Sequence, residues 1–226
     1  MSFTNARLKE KMPSSRVSVV IPTLNRFGML REAVESCIQQ TQKPMEIIIS
    51  DNGSSDETLS FDWPDLVRVI KEPNLGAGAA RKAGLAIARG DLVLFLDSDD
   101  LLNPSALELL TQGATEPKVD LVHGLIANFF EVSKDRVRKF EKPISAATAS
   151  GVLLRRTVFD RFGAFEDGNY SFLKWVIKAR DAGLEIRALE ETICLRRIHD
   201  SNLGRETASR DFYLELVRER IKSAKR

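Results

Sequence analysis

The sequence predicts an α/β protein, a single domain built on a mixed, mainly parallel sheet with helices packed against it. Three observations point there. Short apolar, β-branched runs alternate with segments whose apolar residues recur at helical spacing. That alternation lays successive strands parallel, joined by helical crossovers. Each run then ends in a polar cluster, where the loops and helix N-termini of an open parallel sheet meet ligands.

Residues 1–16 are polar and lack the apolar centre of a signal peptide, so they read as a flexible leader to a domain spanning 17–226. Val17-Ser18-Val19-Val20-Ile21, stopped by Pro22, is the first strand, apolar enough to be buried on both faces. Leu30, Ala33, Val34, Cys37 and Ile38 follow at helical spacing. Glu46 to Ser50 forms the second strand and Val67 to Ile70 the third. Ala77 to Ala88 is an alanine-rich helix, and Leu92 to Leu96 is a fourth strand of apolar residues alone. A helix is expected from Pro104 through Leu110. Beyond it the pattern predicts a strand around Leu121 to Phe130, an extended piece over Gly151 to Leu154 and a helix over Phe172 to Ala182. A further extended piece covers Glu185 to Leu189, and an amphipathic closing helix covers 205–226.

A formal charge of +2 is too small to imply nucleic-acid binding. The hydrophobic share of 43% and charged share of 29% fit neither a disordered nor a membrane-embedded chain. No run approaches the roughly 18 apolar residues of a bilayer span, so the cytoplasm is the expected location. Cys37 and Cys194 lack metal-ligand spacing and are expected to be reduced. In the closing helix, basic residues surround Phe212, Leu216, Val217 and Ile221, which leaves packing on the domain or a peripheral membrane contact.

The polar clusters after the four strands are Thr23-Leu24-Asn25-Arg26, Asp51-Asn52-Gly53-Ser54, Asn74-Leu75-Gly76 and Asp97-Ser98-Asp99-Asp100. Carboxylates this close repel one another unless a proton or cation intervenes. Oxygen donors favour Mg2+ or Mn2+, and such an ion completes its shell with water and substrate phosphates, which suits a diphosphate-bearing ligand. The alternative is that the acidic run merely caps the helix near Pro104. Asp51-Asn52-Gly53 is a turn signal, but its place after a buried strand also suits Asp51 to a base or ribose contact. Arg81 stands where a dinucleotide fingerprint has its third glycine, so Gly76 to Arg81 is a poor match to that loop. An arginine one turn into a helix is instead suited to a diphosphate, with a merely exposed charge as the alternative.

Val19-Val20-Ile21-Pro22-Thr23-Leu24-Asn25-Arg26, Ile48-Ile49-Ser50-Asp51-Asn52-Gly53-Ser54-Ser55-Asp56, Asn74-Leu75-Gly76 with Arg81, and Phe95-Leu96-Asp97-Ser98-Asp99-Asp100 together resemble the inverting family 2 glycosyltransferases of the GT-A fold. Order and spacing match over Val17 to Leu110. The resemblance implies a Rossmann-like GT-A sheet, a nucleotide-diphosphate sugar donor with a UDP-sugar as the first expectation, Mn2+ or Mg2+, and hexosyl transfer with inversion. It implies that Thr23 and Arg26 line the nucleoside pocket, that Asp51 meets the base and that Arg81 meets the diphosphate. Asn25, Asn74 and Gly76 belong to the same donor-binding set. Asp97 and Ser98 serve ribose and phosphates, while Asp99 and Asp100 hold the metal. Arg196 to Asn202 resembles the family's late arginine and histidine element, which adds His199 to the metal or diphosphate contacts. Residues 17–110 then form the donor half and 111–204 the acceptor half, followed by the closing helix. The acceptor stays open among a glycan, a lipid-linked sugar, a peptide and a small molecule.

The second half departs from the family pattern. Phe165-Glu166-Asp167 resembles its acidic element and Ala179 to Gly183 its helix end, yet the acidic pair expected between them falls at Ser171-Phe172, and Lys174 stands in place of another acid. Serine, phenylalanine and a charged lysine cannot take an acceptor proton at neutral pH. Three readings follow: Glu166 or Asp167 reaches inward as the base, the acceptor is acidic enough to need little help, or the chain binds donor without turning it over. A nucleotidyltransferase is disfavoured, because Pro22-Thr23-Leu24-Asn25 is not a glycine-rich basic loop.

Overall fold

The computed structural model describes residues 16–131, 138–145, 148–166 and 170–199. Residues 1–15 of the expected leader, Asp167 and the expected closing helix over 205–226 lie outside the described residues. The first half follows the predicted alternation: β1 (Val17–Thr23), α1 (Phe27–Ile38), β2 (Glu46–Asp51), β3 (Val67–Lys71), α2 (Ala77–Ile87) and β4 (Leu92–Phe95). β1 pairs in parallel with β2 on one side and β4 on the other, and β2 pairs in parallel with β3. The strand order therefore reverses at β1, and the crevice beyond the carboxyl ends of β1 and β4 is the topological switch point of the sheet.

Successive side chains of a strand face opposite ways, and here both directions are apolar. Val19, Ile21, Ile47, Ile49, Leu92 and Leu94 pack in one cluster with Leu30, Ala33, Val34 and Cys37 of α1. Val20, Ile48, Val93 and Phe95 pack in the other with Leu85 of α2. Burial on both faces explains why these strands read as continuous apolar runs rather than alternating ones.

One buried charge anchors the end of the sheet away from the switch point. Glu46, the first residue of β2, is 1% exposed. Its carboxylate accepts from the Ser18 hydroxyl at 2.7 Å, the Arg89 amide at 2.7 Å, Arg89 Nε at 3.0 Å and Arg68 Nη1 at 3.3 Å. Burial alone would raise its pKa, but those hydrogen bonds outweigh it and hold the group below its ordinary value.

The rest of the chain contains more than the spacing predicts. It adds β5 (Leu101–Leu102), α3 (Ala106–Gly113), β6 (Leu121–Glu131), β7 (Arg138–Phe140), β8 (Ile144–Ser145), β9 (Val152–Arg155), α4 (Val158–Phe162), α5 (Ser171–Asp181) and β10 (Ile186–Arg197). The sheet runs β3-β2-β1-β4-β9-β6-β10-β5, with β7 and β8 also paired to β6. β9 is antiparallel to both its neighbours, whereas β6 and β10 are parallel. The last strand is far longer than the piece expected over Glu185 to Leu189. Its register against β6 shifts between Ala188 and Cys194, and the exposed Glu190 and Glu191 in that bulge interrupt the apolar pattern. No described helix is long and apolar enough to cross a membrane.

Candidate active site

The site assembles from the loops that follow β1, β2, β3 and β4. Asn25 adopts a left-handed conformation at φ 51°. Its amide donates to Ser54 Oγ at 2.9 Å and its Oδ1 accepts the Ser55 amide at 2.8 Å, tying the loop after β1 to the loop after β2. Asp51 is fully buried and accepts the amides of Gly53 at 3.2 Å and Ser54 at 3.1 Å. The carboxylate of this aspartate closes the turn that its sequence predicts. Asn52, a neighbour of the expected site residue Asp51, organises the third loop. Its Nδ2 donates to the carbonyls of Glu72 at 2.9 Å and Asn74 at 2.7 Å, and its Oδ1 accepts the Gly76 amide at 2.5 Å. Asn74 turns its own side chain back to Glu72 at 2.8 Å. Gly76, at φ 117°, begins α2 without a side-chain cap.

The acidic run lies opposite that helix. Asp97, Asp99 and Asp100 each offer a ligand oxygen within 4.8 Å of the others. Arg81 Nη2 donates to Asp97 Oδ1, and Arg26 Nη1 donates to Asp99 Oδ2. His199 Nε2 lies 2.9 Å from the same Asp99 oxygen, so an element a hundred residues away closes the cluster. Asp97 has the most open side chain of the three, at 36% exposed, while Ser98 is buried behind it. Asp100 turns toward β10: its Oδ1 accepts the Arg197 amide at 3.0 Å and its Oδ2 lies 3.9 Å from Cys194 Sγ. Burial first, then the charges of Asp99 and Asp97, push the Asp100 pKa well above the ordinary carboxylate value.

Two buried donors at the site, Arg81 Nε and Thr23 Oγ1, are left without an acceptor among the described residues. A buried donor left unsatisfied costs about 1–3 kcal/mol, which an incoming acceptor recovers. Oxygen ligands in a tight group, with donors aimed beside them, fit a Mg2+- or Mn2+-bound anion.

Arg197 braces the cluster from behind. It donates Nε to the Asp99 carbonyl at 3.0 Å and Nη2 to Glu32 at 2.8 Å, and its guanidinium lies 4.8 Å from the Phe129 ring centroid. Ser150 supports Asp97 by accepting its amide at 3.2 Å. Arg197 was legible as part of the arginine and histidine element, whereas nothing in the sequence marks Ser150.

The second half supplies no carboxylate at the position where the family places its acidic pair. Phe172 is 3% exposed, with its ring centroid 5.8 Å from that of Phe165 and 6.4 Å from that of Phe95. Ser171 is buried against α2, its Oγ only 2.5 Å from where a Cβ on Gly78 would stand. The Glu166 carboxylate is exposed and pairs with Lys178 at 3.6 Å. Its backbone carbonyl nevertheless lies beside Gly78, one turn before Arg81.

An open α/β sheet with its polar clusters gathered at the switch point belongs to the class in which ligands bind beyond the strand ends. Within that class the chain belongs to a defined family: residues 18–171 match the model described as Glycosyl transferase family 2. The chain is 28% identical to an uncharacterized glycosyltransferase of Nostoc sp. over 86% of its own length and 68% of the relative's. It is 32% identical to the uncharacterized glycosyltransferase YwdF of Bacillus subtilis over 74% of its length and 68% of that protein's. A glycosyltransferase of Rickettsia felis is 39% identical over 47% of this chain, which spans only 18% of that relative. Among solved structures, S. aureus TarS in complex with UDP-GlcNAc superposes with TM-score 0.66 at 19% identity, over 83% of this chain and 60% of TarS. The mannosyltransferase PcManGT of Pyrobaculum calidifontis, in complex with GDP-Man and Mn2+, gives TM-score 0.66 at 18% identity, over 84% and 59%. The shared architecture is the GT-A fold.

Proposed function

We propose that this chain transfers a sugar from a nucleotide-diphosphate sugar, a UDP-sugar first among candidates, to an acceptor hydroxyl with inversion, and that it does so in the cytoplasm. The observation that carries this reading is the convergence of Asp97, Asp99 and Asp100 within 4.8 Å of one another, facing Arg81 on α2. The donors held by TarS and PcManGT, and the Mn2+ of the latter, support it. Asp99 and Asp100, with His199, would hold the divalent ion, and Asp97, Ser98 and Arg81 the ribose and diphosphate. When bound, that ion supplies positive charge to a leaving nucleoside diphosphate.

In the transfer, the acceptor oxygen bonds to the anomeric carbon from the face opposite the diphosphate. The bond from that carbon to the phosphate oxygen breaks, and its electron pair leaves with the diphosphate. Arg81 neutralises the charge that develops there. The acceptor proton needs a base; Glu166 and Asp167 are the carboxylates proposed for it, and Glu166 would have to leave Lys178 to serve. Calorimetry with UDP and GDP, each with and without Mn2+, tests the donor site. Tight binding that requires Mn2+ and vanishes in Asp99→Ala is expected; equal affinity in that variant would defeat the assignment.

A second reading, donor binding without turnover, is favoured by Phe172, which sits in the core where the family carries acid. Release of free sugar or a glycosylated product from radiolabelled donors in the presence of Mn2+ separates the two.

A further inference from the structure

Asp99 serves two kinds of cation. It belongs to the three-carboxylate group, and its Oδ2 already accepts from Arg26 Nη1 and faces His199 Nε2 at 2.9 Å. These two partners differ in kind. A neutral imidazole can join Asp99 as a metal ligand, whereas a guanidinium has no acceptor atom and can only repel a metal. An ion on either oxygen of that carboxylate would stand close to the Arg26 charge and be repelled by it. The Asp99 side chain is 8% exposed, where solvent screening of that repulsion is weak.

We propose that Arg26 is an internal competitor for the divalent ion at Asp99, and that a nucleoside diphosphate relieves the competition by drawing the guanidinium away from that carboxylate. This rests on the donor and metal reading above. The backbone confines the exchange to the side chain. Asn25 is latched to Ser54 and Ser55, the Arg26 carbonyl accepts the Leu30 amide at 2.9 Å, and the Phe27 amide donates to Asp56 Oδ2 at 2.9 Å. The Arg26 side chain is 25% exposed, so its head can swing while the start of α1 stays in place. Metal and nucleotide then bind with positive coupling that does not depend on direct coordination alone.

The test counts bound Mn2+ by electron paramagnetic resonance in the parent, Arg26→Gln, Arg26→Lys and Asp99→Asn proteins, each with and without UDP, after thermal unfolding has verified their folds. Arg26→Gln should bind Mn2+ without UDP about tenfold more tightly than the parent, and the enhancement by UDP should shrink correspondingly. Arg26→Lys keeps the charge and should stay within about twofold of the parent. Unchanged or weaker Mn2+ binding in Arg26→Gln, or a tenfold gain in Arg26→Lys, overturns the competition. If Asp99→Asn still loses Mn2+ in that case, the donor and metal reading survives; if Asp99→Asn binds Mn2+ like the parent, both readings fall.

Discussion

The two halves of the sheet build the site by different means. In residues 17–110, every polar cluster follows a parallel strand, and short contacts such as Asn25 to Ser54 and Asn52 to Gly76 fasten one loop to the next. In residues 111–199, antiparallel β9 interrupts the sheet, and help reaches the acidic cluster from scattered places: Ser150 just ahead of β9, and Arg197 and His199 at the end of β10. Parallel strands joined by helical crossovers bring their carboxyl ends to one edge as a matter of topology. The second half has no such rule, so what it contributes depends on reach.

The largest effect expected tests whether the second half supplies chemistry at all. The Glu166→Gln, Asp167→Asn double variant should lose about 10²–10⁴-fold in kcat with the donor KM unchanged. Full activity in initial-rate assays would reduce that half to a binding wall. Arg81→Ala should lower kcat/KM by about 10²–10³-fold, because it removes the donor that faces Asp97. A variant with the parent's rate would leave the donor half without its diphosphate contact.

Stability separates the two ends of the donor half. Glu46→Gln should cost about 2 kcal/mol in urea unfolding while leaving UDP affinity unaltered, since the buried carboxylate lies at the sheet's other end. Its folded-state pKa is depressed, so its contribution is present above the unfolded-state value and is lost as pH falls through the folded one. The variant's stability should consequently fall less steeply than the parent's on the acid side; parallel slopes would remove Glu46 from the account. Gly78→Ala should have the smallest effect, a loss of about 1 kcal/mol, because the clash with Ser171 outweighs the helix propensity gained. Adding Ser171→Ala removes the nearest obstructing atom and should recover part of that loss; simple additivity in the double-mutant cycle would mean the two helices do not press on each other there.

Residues 17–110 are largely legible because their signals are local. Val19, Ile48 and Val93 belong to runs whose burial on both faces demands apolar residues throughout, and Asp51 and Asp97 to Asp100 follow such runs directly. The second half is not, because competing demands blur its pattern. The bulge at Glu190 and Glu191 hides most of β10, and the two residues of β8 are too few to show any period. Phe129 and Trp175, large aromatics of this less regular half, are buried in the core.

By itself the sequence determined the strand, helix and loop alternation of residues 17–110 and the kind of residue at the end of each strand, since both follow from periodicity and chain chemistry over a few neighbours. Only the tertiary structure decided which charges meet. Arg26 reaches Asp99 across 73 residues and Arg197 reaches Asp100 across 97. Phe172 is committed to an aromatic core rather than to the site edge. Such pairings depend on how far the sheet curls and where a bulge shifts register, and no local spacing encodes either.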